Sequence, residues 1–137
     1  MAEEFKIFIV EDDVWYGEVI EYHLSLNPDV LVKKFTNGKD FLKALDEQPS
    51  LVTLDYSLPD ITGEEVLKRV KEFNPEIPVV IISGQEDIGT AIKLLKEGAY
   101  DYIVKDDDTK DRIWKTIKNI REKTELKEEI SQLKKQI

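Results

Sequence analysis

The residues able to do chemistry in this chain are mostly acidic, and they sit at the ends of short apolar runs. Glu11, Asp12 and Asp13 follow residues 5–10, Asp55 follows 51–54, Ser83 follows 79–82 and Lys105 follows 102–104. If the chain brings those ends together, Glu11, Asp12 and Asp55 share one shallow pocket. Two like charges about 4 Å apart repel by roughly 4 kcal/mol at an effective dielectric of about 20. A raised pKa with a retained proton would relieve this. So would a hard divalent cation, and Mg²⁺ suits a few carboxylates, a backbone carbonyl and waters in an octahedron. Lys105 supplies a single positive charge, too little for the three carboxylates, so a metal site is the favoured reading. A carboxylate beside a metal, a lysine and a serine also suits phosphoryl transfer. Carboxylates can act as nucleophiles and form aspartyl-phosphate. The cation and Lys105 would then neutralise the equatorial oxygens, and the Ser83 hydroxyl would donate a hydrogen bond.

The elements that must gather these residues alternate along the chain. Strands are expected at 5–10, 30–35, 51–54, 79–82 and 102–104, with the second more polar than the others. The first, third and fourth are nearly continuous in apolar residues, as parallel strands covered on both faces require. Helical spacing fills 14–26, 40–47, 64–73 and 88–97, and a last helix begins near Asp111. Val66, Leu67, Val70 and Phe73 share a face of the third helix; Ile88, Ile92 and Leu95 share a face of the fourth. Thr62 and Glu65 have capping-box spacing, and Gly98 is placed to stop the fourth helix. Pro28, Pro49, Pro75 and Pro78 fall between elements. This (βα)5 pattern predicts an α/β, doubly wound parallel sheet with right-handed crossovers. In such a sheet, ligands bind at the carboxyl ends of the strands, where strand order reverses.

Composition narrows the function classes. A length of 137 residues suits one domain. The 20 Lys and Arg against 29 Asp and Glu leave a net charge of −9 with the histidine neutral. That balance argues against direct nucleic-acid binding, which wants a basic face. The absence of cysteine excludes disulfides and thiolate metal sites. The apolar runs fall far short of a membrane span. Met1-Ala2-Glu3-Glu4 lacks the basic and apolar regions of a signal peptide. A cytoplasmic protein without membrane contact is expected.

Taken together, four stretches resemble the receiver domain of two-component response regulators: FIVEDD, LVTLDYSLPDITGEE, IPVVIISGQED and EGAYDYIVKD. The match runs in order and spacing from about residue 5 to 120. The resemblance implies a flavodoxin-like sheet of order 2-1-3-4-5, with Asp55 as phosphoacceptor and a sensor histidine kinase as donor. It implies Mg²⁺ held by Asp12, Asp55 and the Ser57 backbone carbonyl, with Glu11 acting through metal-bound water. It makes Ser83 the switch hydroxyl, Lys105 the phosphate-binding lysine and Tyr102 the aromatic switch residue. Asp13 is left as a spare acid, and Ser57 and Gln85 occupy positions associated with phosphate lifetime. On phosphorylation Ser83 would move toward the phosphate, Tyr102 would turn inward, and the fourth helix and fifth strand would change their exposed face. One departure stands out. Asp106 takes the place of the family's proline, which follows the lysine across a cis bond. A cis bond before a non-proline residue costs about 2.5–4 kcal/mol, so a different loop is expected.

Residues 1–120 are read as the receiver and 121–137 as a helical extension. Ile113, Ile117 and Ile120 are expected to dock on the sheet. Leu126, Ile130, Leu133 and Ile137 follow at spacings of 4, 3 and 4, a coiled-coil rhythm. Such a stripe suits a parallel homodimer or a connection to an output domain. The pattern runs to the last residue without a cap, as in a piece of a longer regulator. A helix of this kind after a receiver is similar to those of NtrC-like regulators, which carry a σ54-activating ATPase and a DNA-binding domain. Trp15 and Trp114 are read as packing residues and His23 as a surface residue.

Two other functions fit the same fold. One is a phosphorylation-independent interaction module, disfavoured by the complete residue set but kept open by Asp106. The other is a Mg²⁺ phosphatase of the haloacid dehalogenase class. That class places a second aspartate two residues after the nucleophile, where this chain has Ser57. A turnover enzyme is therefore rejected. The chemistry expected is self-catalysed phosphorylation from small donors and autodephosphorylation.

Overall fold

The computed structural model describes residues 4–136. The described residues divide into two compact units between Asp106 and Asp107. In the first, strands β1 (Phe5–Val10), β2 (Val30–Phe35), β3 (Leu51–Asp55), β4 (Val79–Ser83) and β5 (Asp101–Val104) alternate with helices α1 (Val14–Ser25), α2 (Gly38–Lys43), α3 (Gly63–Phe73) and α4 (Ile88–Lys96). All strand pairs are parallel, in the order β2-β1-β3-β4-β5. The expected sheet and strand order are therefore those of the molecule. Every residue of β3 and β4 is buried, while β2, at the sheet edge, has no fully buried residue.

Because side chains alternate across a strand, the sheet has two apolar faces. Phe8, Val10, Val52, Leu54, Val79 and Ile81 form one, packed with Phe41 of α2, Leu67 and Val70 of α3 and Leu94 of α4. Ile7, Ile9, Leu51 and Ile82 are equally buried but stand outside that cluster, as do Ile20 and Leu24 of α1. Each of the four helices starts on a side-chain cap: Asp13 for α1, Asn37 for α2, Thr62 for α3 and Asp87 for α4. These caps satisfy N–H groups left without intrahelical partners. Gly98, with φ of +111°, follows α4, a backbone conformation that favours glycine.

Four details differ from the sequence reading or were left open by it. Helix α2 begins at Gly38 and ends at Lys43, before a separate 3-10 turn at Leu45–Glu47. Its early start comes from Asp60, whose carboxylate accepts from the Gly38 and Lys39 N–H groups at 2.9 and 2.8 Å. Helix α4 buries Leu94, whereas Ile88, Ile92 and Leu95 lie exposed. The periodicity marked an apolar stripe correctly but not which way it faced. Phe73 is likewise exposed at the last turn of α3, and Trp15 is not a packing residue, being 71% exposed.

The second unit carries α5 (Thr109–Gln136). Its Ile113, Ile117 and Ile120 are buried. From residue 122 to 136 every residue is exposed, Leu126, Ile130 and Leu133 included. Ile137, the last position of the apolar rhythm, and residues 1–3 lie outside the described residues. No helix among the described residues is long and apolar enough to cross a membrane.

Candidate phosphoacceptor and metal site

Sheet register brings the chemistry to one edge. Val10 is level with Leu54, Asp55 with Ile82, and Ser83 with Val104. Glu11, Asp55, Ser83 and Lys105 therefore stand at adjacent strand ends. Backbone bonds lock this edge beyond the ladders. Tyr56 N–H donates to Ile82 O at 3.0 Å, Lys105 N–H to Ser83 O at 2.8 Å and Glu11 N–H to Phe35 O at 2.9 Å.

Carboxylate oxygens of Glu11, Asp12 and Asp55 all lie within 4.8 Å of one another. Glu11 and Asp55 are buried and Asp12 is exposed. Burial drives the Asp55 pKa up to about 8, with hydrogen bonds to Glu11 and Asp12 and the Glu11 charge adding to the rise; the Ser57 N–H, 3.1 Å from Oδ1, works against it. Raised from its ordinary 3.8, this carboxyl is favoured in its protonated form by burial and by the neighbouring acids. All-oxygen donors of this kind, with Asp12 open to water, fit a hard divalent cation that keeps part of its hydration shell.

Lys105 enters the cluster from β5. Its Nζ lies 2.8 Å from Glu11 Oε1 and 3.7 Å from Asp55 Oδ2. Burial disfavours the ammonium, but the hydrogen bond and charge of Glu11, helped by Asp55, hold its pKa above the ordinary lysine value. All peptide bonds among the described residues are trans, that before Asp106 included. Lys105 still reaches the pocket. The other Glu11 oxygen accepts from Asp13 N–H at 3.2 Å. Asp13 itself points its side chain at Tyr16 N–H, capping α1, so the spare acid has a structural task.

Ser83 is buried, and its Oγ accepts from Gln85 N–H at 3.2 Å. Tyr102 is half-buried, and its hydroxyl donates to Gln85 O at 3.0 Å. The two are thus linked through Gln85, one through its N–H and the other through its carbonyl. Ser57 is exposed, on the loop after Asp55. That loop is held close to α3, since Gly63 N–H donates to Tyr56 O at 3.3 Å. A Cβ at Gly63 would lie 3.0 Å from Tyr56 Cα and 3.2 Å from Asp55 O.

Two features of the pocket escaped sequence reasoning. Glu11 is the nearer ion partner of Lys105, although spacing suggested a charge shared by the three acids. Tyr16 places its ring face 4.6 Å from Lys105 Nζ. A tyrosine on the first turn of α1 gives no sign, in sequence, that it meets a lysine 89 positions further on (105 − 16).

A parallel α/β sheet binds ligands at the carboxyl ends of its strands, and here that edge gathers acids, a lysine and a hydroxyl. The chain belongs to the response regulator receiver domain family, which matches residues 7–118. It is 34% identical over 112 residues to the regulatory protein LuxO of Vibrio cholerae, covering 80% of this chain and 24% of that protein. It is 33% identical over 121 residues to the DNA-binding transcriptional regulator NtrC of Proteus hauseri, covering 85% of this chain and 25% of NtrC. The crystal structure of NtrX from Brucella abortus superimposes with a TM-score of 0.82 at 31% identity, over 96% of this chain and 30% of NtrX. NtrC among the relatives agrees with the NtrC-like resemblance of the tail. The chain spans about a quarter of the length of these curated relatives. It is a receiver domain of two-component signalling.

Proposed function

We propose that Asp55 accepts a phosphoryl group from the phosphohistidine of a sensor histidine kinase. An Asp55 carboxylate oxygen attacks phosphorus, the P–N bond breaks, and the imidazole leaves with the electron pair of that bond. Asp12, Asp55 and the Ser57 backbone carbonyl would hold Mg²⁺, with Glu11 reaching it through water. Bound there, the cation supplies the positive charge that lets Asp55 ionise and offsets charge on the transferred group. Lys105 would add a second positive charge, and Ser83 would offer its hydroxyl to a phosphoryl oxygen.

The observation that carries this reading is the convergence of Glu11, Asp12 and Asp55 around a carboxyl whose pKa is pushed to about 8, with Lys105 Nζ 3.7 Å away. The switch follows from the Gln85 linkage. Movement of Ser83 toward a phosphoryl group pulls on the Gln85 N–H, and Tyr102 is bonded to the carbonyl of the same residue. Phosphorylation would bias two arrangements of this loop and so alter the surface of α4, where Ile88, Ile92 and Leu95 are exposed. The phosphoryl group would be lost again by hydrolysis that the domain itself catalyses. We assign residues 1–120 to the receiver and 121–137 to an extension, whose Leu126, Ile130 and Leu133 would pair in a homodimer or lead to an output domain of the longer regulator.

The test is intact mass after incubation with Mg²⁺ and acetyl phosphate. One phosphoryl adduct is expected, stable to acid, labile to base, and absent in Asp55→Asn. No adduct from either acetyl phosphate or a phosphorylated kinase would point instead to a binding module that works without phosphorylation.

A further inference from the structure

We propose that Tyr16 is a positioning residue for phosphoryl transfer, holding the Lys105 ammonium in the pocket through the face of its ring. Lysine is a compact charge on a flexible stem, and Lys105 directly precedes an exposed acidic loop, Asp106 to Asp108. Its side chain is 23% exposed, so solvent competes for it. Glu11 and Asp55 attract the ammonium at 2.8 and 3.7 Å, and the Tyr16 ring lies 4.6 Å away. That distance is well within the roughly 6 Å over which a ring's negative face attracts a cation.

The choice of a ring has a chemical consequence. Glu11 already neutralises much of the Lys105 charge. Another carboxylate in the place of Tyr16 would leave the ammonium with little attraction for an incoming phosphoryl group. A ring steadies the cation without cancelling its charge. Tyr16 can do this because Asp13 caps α1 on the Tyr16 N–H itself, which fixes the first turn beside the pocket. The effect on rate rests on Asp55 being the phosphoacceptor, whereas the ring–ammonium contact does not.

The experiment has two arms. The first follows phosphorylation by acetyl phosphate in Mg²⁺. Tyr16→Leu is expected to slow it by about fivefold, the size of one partly buried cation–π contact. Tyr16→Phe keeps the ring and should remain within about twofold of the parent, separating ring from hydroxyl. On a Lys105→Met background, Tyr16→Leu should cause no further loss, because the group it acts through is gone. The second arm is NMR of the protein with labelled lysine. The Lys105 ε-methylene protons should be shifted upfield by the ring, equally in Tyr16→Phe, and return to ordinary lysine values in Tyr16→Leu.

Tyr16→Leu phosphorylated at the parent rate or faster overturns the positioning role, as does a loss that simply adds to that of Lys105→Met. Ordinary ε-methylene shifts in the parent overturn the contact itself. Should the parent take no phosphoryl group at all, the phosphoacceptor reading of Asp55 falls and the positioning role in transfer falls with it. An upfield Lys105 signal would then show that the failure lies in that reading and not in the contact.

Discussion

At the scale of single residues, Asp55 is a compromise between stability and chemistry. Its folded pKa of about 8 stands above the ordinary 3.8 because burial and two neighbouring acids disfavour its charge. The folded state therefore keeps a proton that the unfolded chain releases near pH 4. Where the native state binds more protons, stability falls as pH rises. The loss begins above the unfolded value and is complete once pH has passed the folded one. One pH unit of displacement is worth about 1.4 kcal/mol. Asp55→Asn, which cannot ionise, is expected to be more stable than the parent at pH 8 by at least about 1 kcal/mol in chelator, with the gap closing toward pH 4. Urea unfolding at both pH values measures it; a parent equal to the variant at pH 8 would contradict the charge crowding. The set Glu11, Asp12, Asp55, Ser83 and Lys105 could be read from spacing because each follows an apolar run. Tyr16 could not, since ring and ammonium meet only through the fold.

At the scale of elements, the loop from Asp55 to α3 is fixed by close backbone approach. Gly63 opens α3 where a Cβ would be crowded, the nearest atoms being backbone atoms of Tyr56 and Asp55. Side chains can swing aside, but these cannot without moving the acceptor loop. Gly63→Ala is expected to destabilise by about 1–3 kcal/mol, the usual cost of overpacking, despite alanine's better helix propensity. It should also slow phosphorylation by acetyl phosphate. Denaturant unfolding and the phosphorylation rate check the two effects, and an unchanged stability would show that the loop yields easily. Asp60 belongs to the same loop and ties it to the start of α2. Thr62 gave its cap away in the sequence, because threonine three residues before glutamate is a local signal, and its Oγ1 does accept from Glu65 N–H at 3.1 Å. Asp60 and Gly38 are 22 positions apart, and no local rule connects them. The stripe of α4 was legible only as a stripe for a related reason: periodicity identifies a face, while neighbours decide whether it is covered.

At the scale of the molecule, the distal part of α5 poses the main question. Leu126, Ile130 and Leu133 recur at helical spacing and are exposed, as are all residues from 122 to 136. A helix this exposed gains little from tertiary packing, which is where most helical stability in proteins originates. Pairing with a second copy would supply that burial. Sedimentation is expected to give twice the 15.9 kDa chain mass at high concentration. Leu126→Lys with Leu133→Lys should return it to one chain mass, with thermal unfolding of the receiver little changed because neither side chain is buried. A parent that sediments as one chain at every concentration would remove the dimer.

By itself the sequence determined the (βα)5 order, the strands to within a residue, the cap on Thr62 as a candidate position, and the acids, lysine and serine of the pocket. These are local: strand runs, helix periods and polar residues at the ends of apolar segments follow from neighbours in the chain. Tertiary structure alone decided that Lys105 leans on Glu11 and the Tyr16 ring, that Asp60 starts α2, and that the α4 stripe looks outward. Each depends on distances between segments remote in sequence, and Coulomb attraction, ring contact and burial act on those distances, not on chain order.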